Sequence, residues 1–145
     1  MSVINFSAIT TALKTLIAAG STGYTIERNS VRNDDPNVAA IGKGWIGVRK
    51  GMIDYKAHTT GSSPWLAEIE VIAEVQYAHM SDPETAETQI ETAIAEILGI
   101  INSNLTIGNT VSHVKGFRVD YFDVPDARNT YWYGGVITIR AEARA

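Results

Sequence analysis

The sequence predicts an α+β domain in which two helices pack on one face of a mostly antiparallel sheet of four to five strands. Two segments repeat apolar residues at helical spacing, and five others alternate in polarity or are rich in β-branched and aromatic residues. The predicted elements follow the order α-β-β-β-α-β-β without an internal repeat, which favours one layer of helices on one sheet. A chain of 145 residues fits a single domain over residues 1–145.

The first helix is predicted over residues 5–19, where apolar residues recur at steps of three and four. These residues are Phe6, Ile9, Leu13, Leu16 and Ile17. Gly20 then predicts a left-handed end of the helix.

Tyr24–Arg28 is a short strand candidate. Residues 29–43 carry turn residues, including the segment Asn33-Asp34-Asp35-Pro36-Asn37, and we expect a long exposed loop there.

A second strand is predicted at Gly44–Lys56, although its apolar residues change face half-way along. The first pair is Ile46 and Val48, and the second pair is Ile53 and Tyr55. A bulge at Gly51 would bring both pairs to the same face. Residues 57–64 are small and polar, so we expect another loop.

The clearest pattern is the alternation over residues 65–77, with apolar residues at the odd positions and mostly polar ones between them. This alternation predicts a long strand with one buried face. The sequence Ser81-Asp82-Pro83-Glu84 is typical of a helix start, because it combines a capping residue, a proline and a glutamate three residues after the serine. Apolar residues at helical spacing extend this helix to Asn102 or Asn104.

The last third of the chain predicts a hairpin. Residues 106–110 form a turn, and residues 111–124 form a strand that Pro125 ends. Residues 126–129 connect it to a strand over residues 130–143, and the two strands are most simply neighbours.

Composition excludes several classes of function. Twelve Lys and Arg against sixteen Asp and Glu give a net charge of −4, the wrong sign for affinity based on neutralising phosphates. The chain has no cysteine, which excludes thiol catalysis, disulfides and thiolate metal sites. No apolar stretch approaches the ~20 residues that span a bilayer, and the N-terminus does not resemble a signal peptide, so we expect a soluble protein that no signal peptide exports.

Motifs of catalysis are weak in this sequence. His58, His79 and His113 lack the spacing of a helical metal pair, and the alternative site of His79, Asp82 and His113 would have to assemble in space. The segment Gly42-Lys43-Gly44 lacks the rest of a phosphate loop, and there is no Gly-x-Ser-x-Gly elbow. We therefore expect no enzymatic activity, no cofactor and no bound metal.

The second helix is acidic and has no lysine or arginine before its end. Its acidic residues, with the one before its start, are Asp82, Glu84, Glu87, Glu91 and Glu96. Acids in the first turn suit the helix dipole, but Glu87 and Glu91 are four residues apart and repel each other. One interpretation is a solvated face. The other is a surface that repels a passing polyanion or meets a basic partner.

Positive charge lies elsewhere, in and around the first long loop and its flanking strands, at Arg28, Arg32, Lys43, Arg49 and Lys50. Such polarity would suit head-to-tail contact between identical subunits, although scattered surface charge also explains it. Neighbours on a strand point to opposite faces, so either Trp132 or the flanking Tyr131 and Tyr133 should lie away from the core, as an interface anchor or beneath a loop. The candidate interface comprises Arg28, Arg32, Arg49, Lys50, Trp132 and Tyr133.

In the order and texture of its elements, the chain resembles the tail terminator, or tail completion, proteins of long-tailed bacteriophages, related to the minor tail protein U group. The resemblance covers nearly the full length. It lies in the helix over residues 6–19, the alternating residues 65–71, the helix start Asp82-Pro83-Glu84, and the hairpin residues 117–122 and 132–139.

This resemblance implies a ring, usually of six subunits, that sits on the last ring of the tail tube, stops its growth and offers a surface to the head connector. Its partners would be further copies of itself, the tail tube protein and the neck. The ring would be assembled in the host cytoplasm and would reside in the virion. DNA would pass through without being gripped, and an acidic face of Glu84, Glu87, Glu91 and Glu96 turned to the lumen would suit that passage.

Three other functions stay open on the sequence alone. A head-completion or stopper protein of the neck would have a similar order of elements and a similar polarity pattern. A small-molecule-binding or enzymatic α+β domain would have a concave apolar pocket with a few convergent polar groups. A regulatory adaptor would bind another protein through residues 131–133 as a stable monomer.

Overall fold

The computed structural model describes residues 4–20, 24–28, 44–56, 66–79, 83–124 and 131–144. These residues form two helices and five strands in the predicted order. The elements are α1 (Phe6–Gly20), β1 (Tyr24–Arg28), β2 (Gly44–Lys56), β3 (Leu66–His79), α2 (Pro83–Asn102), β4 (His113–Val124) and β5 (Tyr131–Arg144).

The strands form one sheet in the spatial order β1-β2-β3-β5-β4. Strand β1 runs parallel to β2, whereas the other three pairings are antiparallel. Helix α1 packs on β1 and β2, helix α2 packs on β3 and β5, and the two helices contact each other. Both helices therefore cover the same face, called the helix face below, which confirms the predicted α+β class. The opposite face of the sheet is called the open face.

The core lies between the helices and the central strand β3. The odd-numbered residues of β3 from Ala67 to Val75 point to the helix face, and each is at most 1% exposed. They are Ala67, Ile69, Val71, Ala73 and Val75. Buried residues of α1 and α2, such as Leu13 and Ile97, pack in the same cluster. The predicted alternation of this strand is confirmed, because apolar side chains at every second position meet the helix layer.

The bulge predicted in β2 is also confirmed. Lys50 lies opposite Val71, yet Ile53 lies opposite Ile69, so β2 has one extra residue in this interval. The extra residue places the apolar residues on both sides of the bulge on the helix face. Gly51 lies within it, and a Cβ at this position would come 2.8 Å from the carbonyl oxygen of Glu70.

Helix α1 begins as predicted but ends differently. The side-chain Oδ1 of Asn5 accepts a hydrogen bond of 3.1 Å from the backbone N–H of Ala8, which caps the N-terminus. The helix ends at Gly20, within one residue of the prediction, but the expected left-handed conformation is wrong, because Gly20 is not among the described residues with positive φ. A Cβ there would approach the side chain of Ile100 to 2.7 Å. Glycine at this position therefore lets α1 and α2 approach closely.

The turn predicted before β4 is confirmed. Three consecutive residues have positive φ, namely Ile107 (46°), Gly108 (62°) and Asn109 (63°). An isoleucine is rarely left-handed, but the side chain of Ile107 is fully buried, and this burial offsets the strain. The following strand begins at His113, two residues later than expected.

The other boundaries agree closely. Helix α2 ends at Asn102, one of the two predicted positions, and β4 and β5 form the expected hairpin. The two predicted loops, the connector at 126–129, and the residues Trp65, Ser81 and Asp82 lie outside the described residues.

A glycine on the open face gives a test of the packing. A Cβ at Gly134 would lie 2.2 Å from the ring of Phe122, so Gly134→Ala should destabilise the fold by about 1–3 kcal/mol through overpacking. The matched variant Gly99→Ala adds a Cβ where no atom of the described residues lies within 4 Å, and it should stabilise the exposed helix by about 0.5–1 kcal/mol. Urea unfolding measures both. Equal effects of the two substitutions would contradict the packing around Gly134.

Candidate interaction surfaces

The exposed side of α2 has an uncharged crest. With about 100° between successive residues, the positions directly opposite the buried side form a single row. They are Thr88, Thr92, Ala95 and Gly99, and all are exposed. The acidic residues lie on the two flanks of this row.

Glu87 and Glu91 lie on the flank that faces β4 and β5. With Tyr121, Asp123 and Tyr133 they line a cavity of about 310 Å³, called the acidic cavity below. No lysine or arginine in the described part of the chain forms a salt bridge with the two glutamates or with Asp123. The cavity therefore concentrates negative charge beside two tyrosine rings.

Glu96 lies on the other flank. It lines a groove between the C-terminal ends of the helices, with Leu16, Gly20 and Ile100 among its neighbours. Glu84 is exposed in the first turn of α2. The four acidic residues expected on one face thus do not share one: Glu87 and Glu91 are brought together, and Glu96 is separated from them by the uncharged crest.

The basic residues predicted at an interface are only partly brought together. Arg49 forms a salt bridge of 3.0 Å with Glu74 and so is used within the chain. Its neighbour Lys50 is exposed, and no described residue pairs with its charge. Of Arg28 only the backbone, in β1, is described, and Arg32 lies outside the described residues.

Lys50 borders a recess at one edge of the sheet. Strand β1 ends where Arg28 pairs with Val48, so no described strand covers the outer side of β2 beyond that point. A cavity of about 500 Å³ lies here, called the β2 notch below. It is lined by Phe6, Ser7 and Thr10 of α1 and by Arg49 and Lys50 of β2.

The open face contains a buried polar cluster that sequence reasoning missed. Glu74 and Gln76 are only 2% and 0% exposed, although the alternation suggested polar residues on a solvated side. Gln76 donates a hydrogen bond of 2.7 Å from Nε2 to Glu74 Oε2, and Arg49 completes the cluster. Among the residues that the structure describes, none forms a hydrogen bond with the Oε1 atom of Gln76.

Two glycines explain why aromatic rings can flank this cluster. Gly47 lies opposite Glu74, and the ring of Trp45 occupies the space above it. Gly134 lies opposite Gln76, and the ring of Phe122 lies above it. Glycine within a strand often marks such close packing, and these glycines were the available sequence signal.

A second ion cluster lies at the start of β4, where the register shifts between Val114 and Gly116. Lys115 Nζ lies 3.2 Å from Glu68 Oε1 and 3.6 Å from Glu142 Oε2. The hydrogen bond to Glu68, with its charge, raises the pKa of Lys115, and the charge of Glu142 adds to this. Because the raised pKa exceeds the ordinary lysine value, the pairing persists at neutral pH and is lost only in strong base.

The aromatic residues of the candidate interface have different environments. Tyr133 is half-buried on the helix face, packs against the core and lines the acidic cavity. The side chain of Trp132 lies outside the described residues, although its backbone pairs with Ala78 and Val124. Among the aromatic side chains that the structure describes, Tyr121 is the exposed one, at 59% exposure. Tyr121 shares the helix face with Phe117 and Val119, as the alternation predicted, and it lines the acidic cavity.

The histidine site considered from sequence does not assemble. His79 pairs with Tyr131 and His113 pairs with Glu142, at opposite ends of β5. The residues that the structure describes contain no group of three acidic or histidine side chains able to hold a metal ion. His58 and Asp82 lie outside them.

Comparison with protein-family models and with curated proteins gives no match. In the described ranges, neither helix is long and apolar enough to cross a membrane.

The buried polar cluster gives a stability prediction. Glu74→Ala removes the partner of Arg49 and the acceptor of Gln76, so it should lower the free energy of unfolding by about 2 kcal/mol. The control Glu70→Ala lies on the same face of the same strand, where no described residue pairs with the carboxylate, and should change it by less than about 0.5 kcal/mol. Denaturant titration compares the two variants. A Glu74→Ala protein as stable as the control would contradict the cluster.

Proposed function

We propose that the chain is a structural assembly protein of a long-tailed bacteriophage. In this proposal six copies close into a ring that caps the tail tube, ends its elongation and provides the surface that joins the tail to the head. The observation that carries it is the exposed pair Glu87 and Glu91, whose charges no described cation balances. The element order agrees with the pattern on which the resemblance to tail terminator proteins is based.

Unbalanced carboxylates suit a protein through whose ring DNA passes. A surface that carries negative charge repels phosphates within about 8–10 Å at physiological ionic strength. Glu87 and Glu91 lie on the helix layer, away from the mixed charges of the open face. If the helix layer faces the lumen, its carboxylates repel the DNA phosphates, and the genome moves past without binding.

A head-completion or stopper protein of the neck is the alternative within the same class. Both would form rings, and they differ in the neighbour that they bind. Co-sedimentation with purified tail tubes supports a terminator, whereas co-sedimentation with DNA-filled heads alone supports a stopper.

One observation favours a candidate from another class. The acidic cavity combines three carboxylates with two tyrosine rings, and its volume of about 310 Å³ suits a small cationic ligand. A small-molecule-binding domain of this kind should show a higher melting temperature with spermidine, and Glu91→Gln should remove that shift. No shift at millimolar spermidine would contradict this alternative.

Ring formation is the first expected outcome. Size-exclusion chromatography with light scattering should show a species of about 94 kDa, six times the chain mass of 15.7 kDa, and negative-stain images should show a central hole. Mg²⁺ or added salt should favour this species, because they screen repulsion between acidic surfaces repeated around the ring. A monomer at all protein and salt concentrations would contradict the proposal.

The lumen role of the acidic pair has its own test. Glu91→Lys places a cation beside passing DNA and should slow genome ejection from otherwise intact particles, because the cation attracts phosphates. The control Asp54→Lys makes the same charge change at an exposed position of β2. Ejection rates measured by release of a DNA-binding dye compare the two. Unchanged ejection by particles with Glu91→Lys would contradict a repulsive lumen.

A further inference from the structure

We propose that neighbouring copies join edge to edge, with Tyr121 and Asp123 of one copy docked in the β2 notch of the next. The pair Tyr121 and Asp123 is called the β4 knob below. This inference rests on the proposed function, since it takes a second copy of the chain as the occupant of the notch. It names the residues that would hold the ring together.

The β4 knob has the properties of an interface anchor. Tyr121 is 59% exposed, the most exposed of the large hydrophobic residues that the structure describes. Asp123 is also exposed, and no described residue pairs with it. Both lie on β4, the outermost strand of the sheet, where a neighbour can approach. Tyrosine is among the residue types that most often dominate binding energy at interfaces.

The β2 notch is complementary to this knob in charge and offers it an apolar wall. Its wall contains the half-buried ring of Phe6, which offers an apolar contact to a tyrosine. The hydroxyl of Thr10 already donates to the carbonyl oxygen of Phe6 at 2.9 Å, so this part of the wall has little unmet hydrogen-bonding capacity. Lys50 supplies a cation that is unpaired within the described residues. An aromatic and acidic knob therefore fits an apolar and basic notch.

The positions of knob and notch suit a closed ring. The notch lies on the β1 and β2 side of the sheet and the knob lies on β4, so they occupy opposite edges. In the strand register Asp123 lies opposite Tyr133 and Lys50 lies opposite Val71, which places the knob and Lys50 of the notch on the helix face. Two different surfaces at opposite edges make a head-to-tail contact, which produces a ring when the rotation closes. The acidic pair Glu87 and Glu91 lines the same cavity as the knob, so it then lies beside this contact.

Charge reversal tests the pairing. Asp123→Lys and Lys50→Glu should each weaken self-association at least about tenfold, and light scattering should then show a monomer where the wild type assembles. Tyr121→Ala should have a similar effect. The controls Asp120→Lys and Arg118→Glu make the same charge changes on the open face, at exposed positions of β4, and should leave assembly unchanged. Circular dichroism confirms that each variant is folded.

A mixing experiment identifies the partner surface. Equal amounts of the Asp123→Lys and Lys50→Glu proteins should assemble together, because each lysine knob meets a glutamate notch and each native knob meets a native notch. Recovery in the mixture supports the pairing, whereas a mixture that stays monomeric overturns it. If the wild type forms a ring and each of the two singly substituted proteins still forms it, the inference is overturned while the proposed function stands. A wild type that forms open oligomers sensitive to both substitutions supports the pairing and contradicts the ring.

Discussion

The structure depends on the burial of one face of β3 over residues 67–75. This strand pairs with β2 on one side and β5 on the other, and its odd-numbered residues pack under both helices. A shift of one residue would turn every apolar side chain of β3 to the opposite face, so the register of both neighbours is constrained. The extra residue beside Gly51 lets β2 satisfy this constraint.

The same arrangement determines which charged side chains and which sheet edges are exposed to a neighbouring molecule. Helix α2 buries one side against β3 and β5, which leaves its carboxylates on two flanks and an uncharged row between them. Strand β1 is short, so no described strand covers the edge of β2 beside the start of α1, and β4 forms the other edge. Each edge therefore presents an aromatic ring and a charge. The charge is positive beside β2, at Lys50, and negative on β4, at Asp123.

Sequence patterns predicted the fold well where local periodicity and burial agree. The alternation of β3, the bulge at Gly51 and the hairpin of β4 and β5 all follow from residues close together in the chain. The burial of Glu74 and Gln76 was not predictable in this way. It accompanies the rings of Trp45 and Phe122, which come from other strands and lie above glycines.

The site was predicted less completely, for the same reason. The acidic residues of α2 were identified, but the separation of Glu96 from Glu91 depends on which side of the helix the sheet covers. Arg49 forms a salt bridge with Glu74 of the neighbouring strand, a contact that sequence spacing alone does not show. The exposure of Tyr121 depends on how far the helix layer extends over the sheet. Long-range packing, and not local pattern, determined each of these outcomes.

The most direct test of edge-to-edge assembly is disulfide cross-linking. The chain has no cysteine, so only the introduced thiols can form a disulfide. Lys50→Cys and Asp123→Cys in one chain should, after mild oxidation, give a ladder of covalent oligomers that stops at six on a denaturing gel. Each single variant should give no species larger than a dimer. A double variant that stays monomeric after oxidation, while the protein still assembles, would contradict the proposed contact.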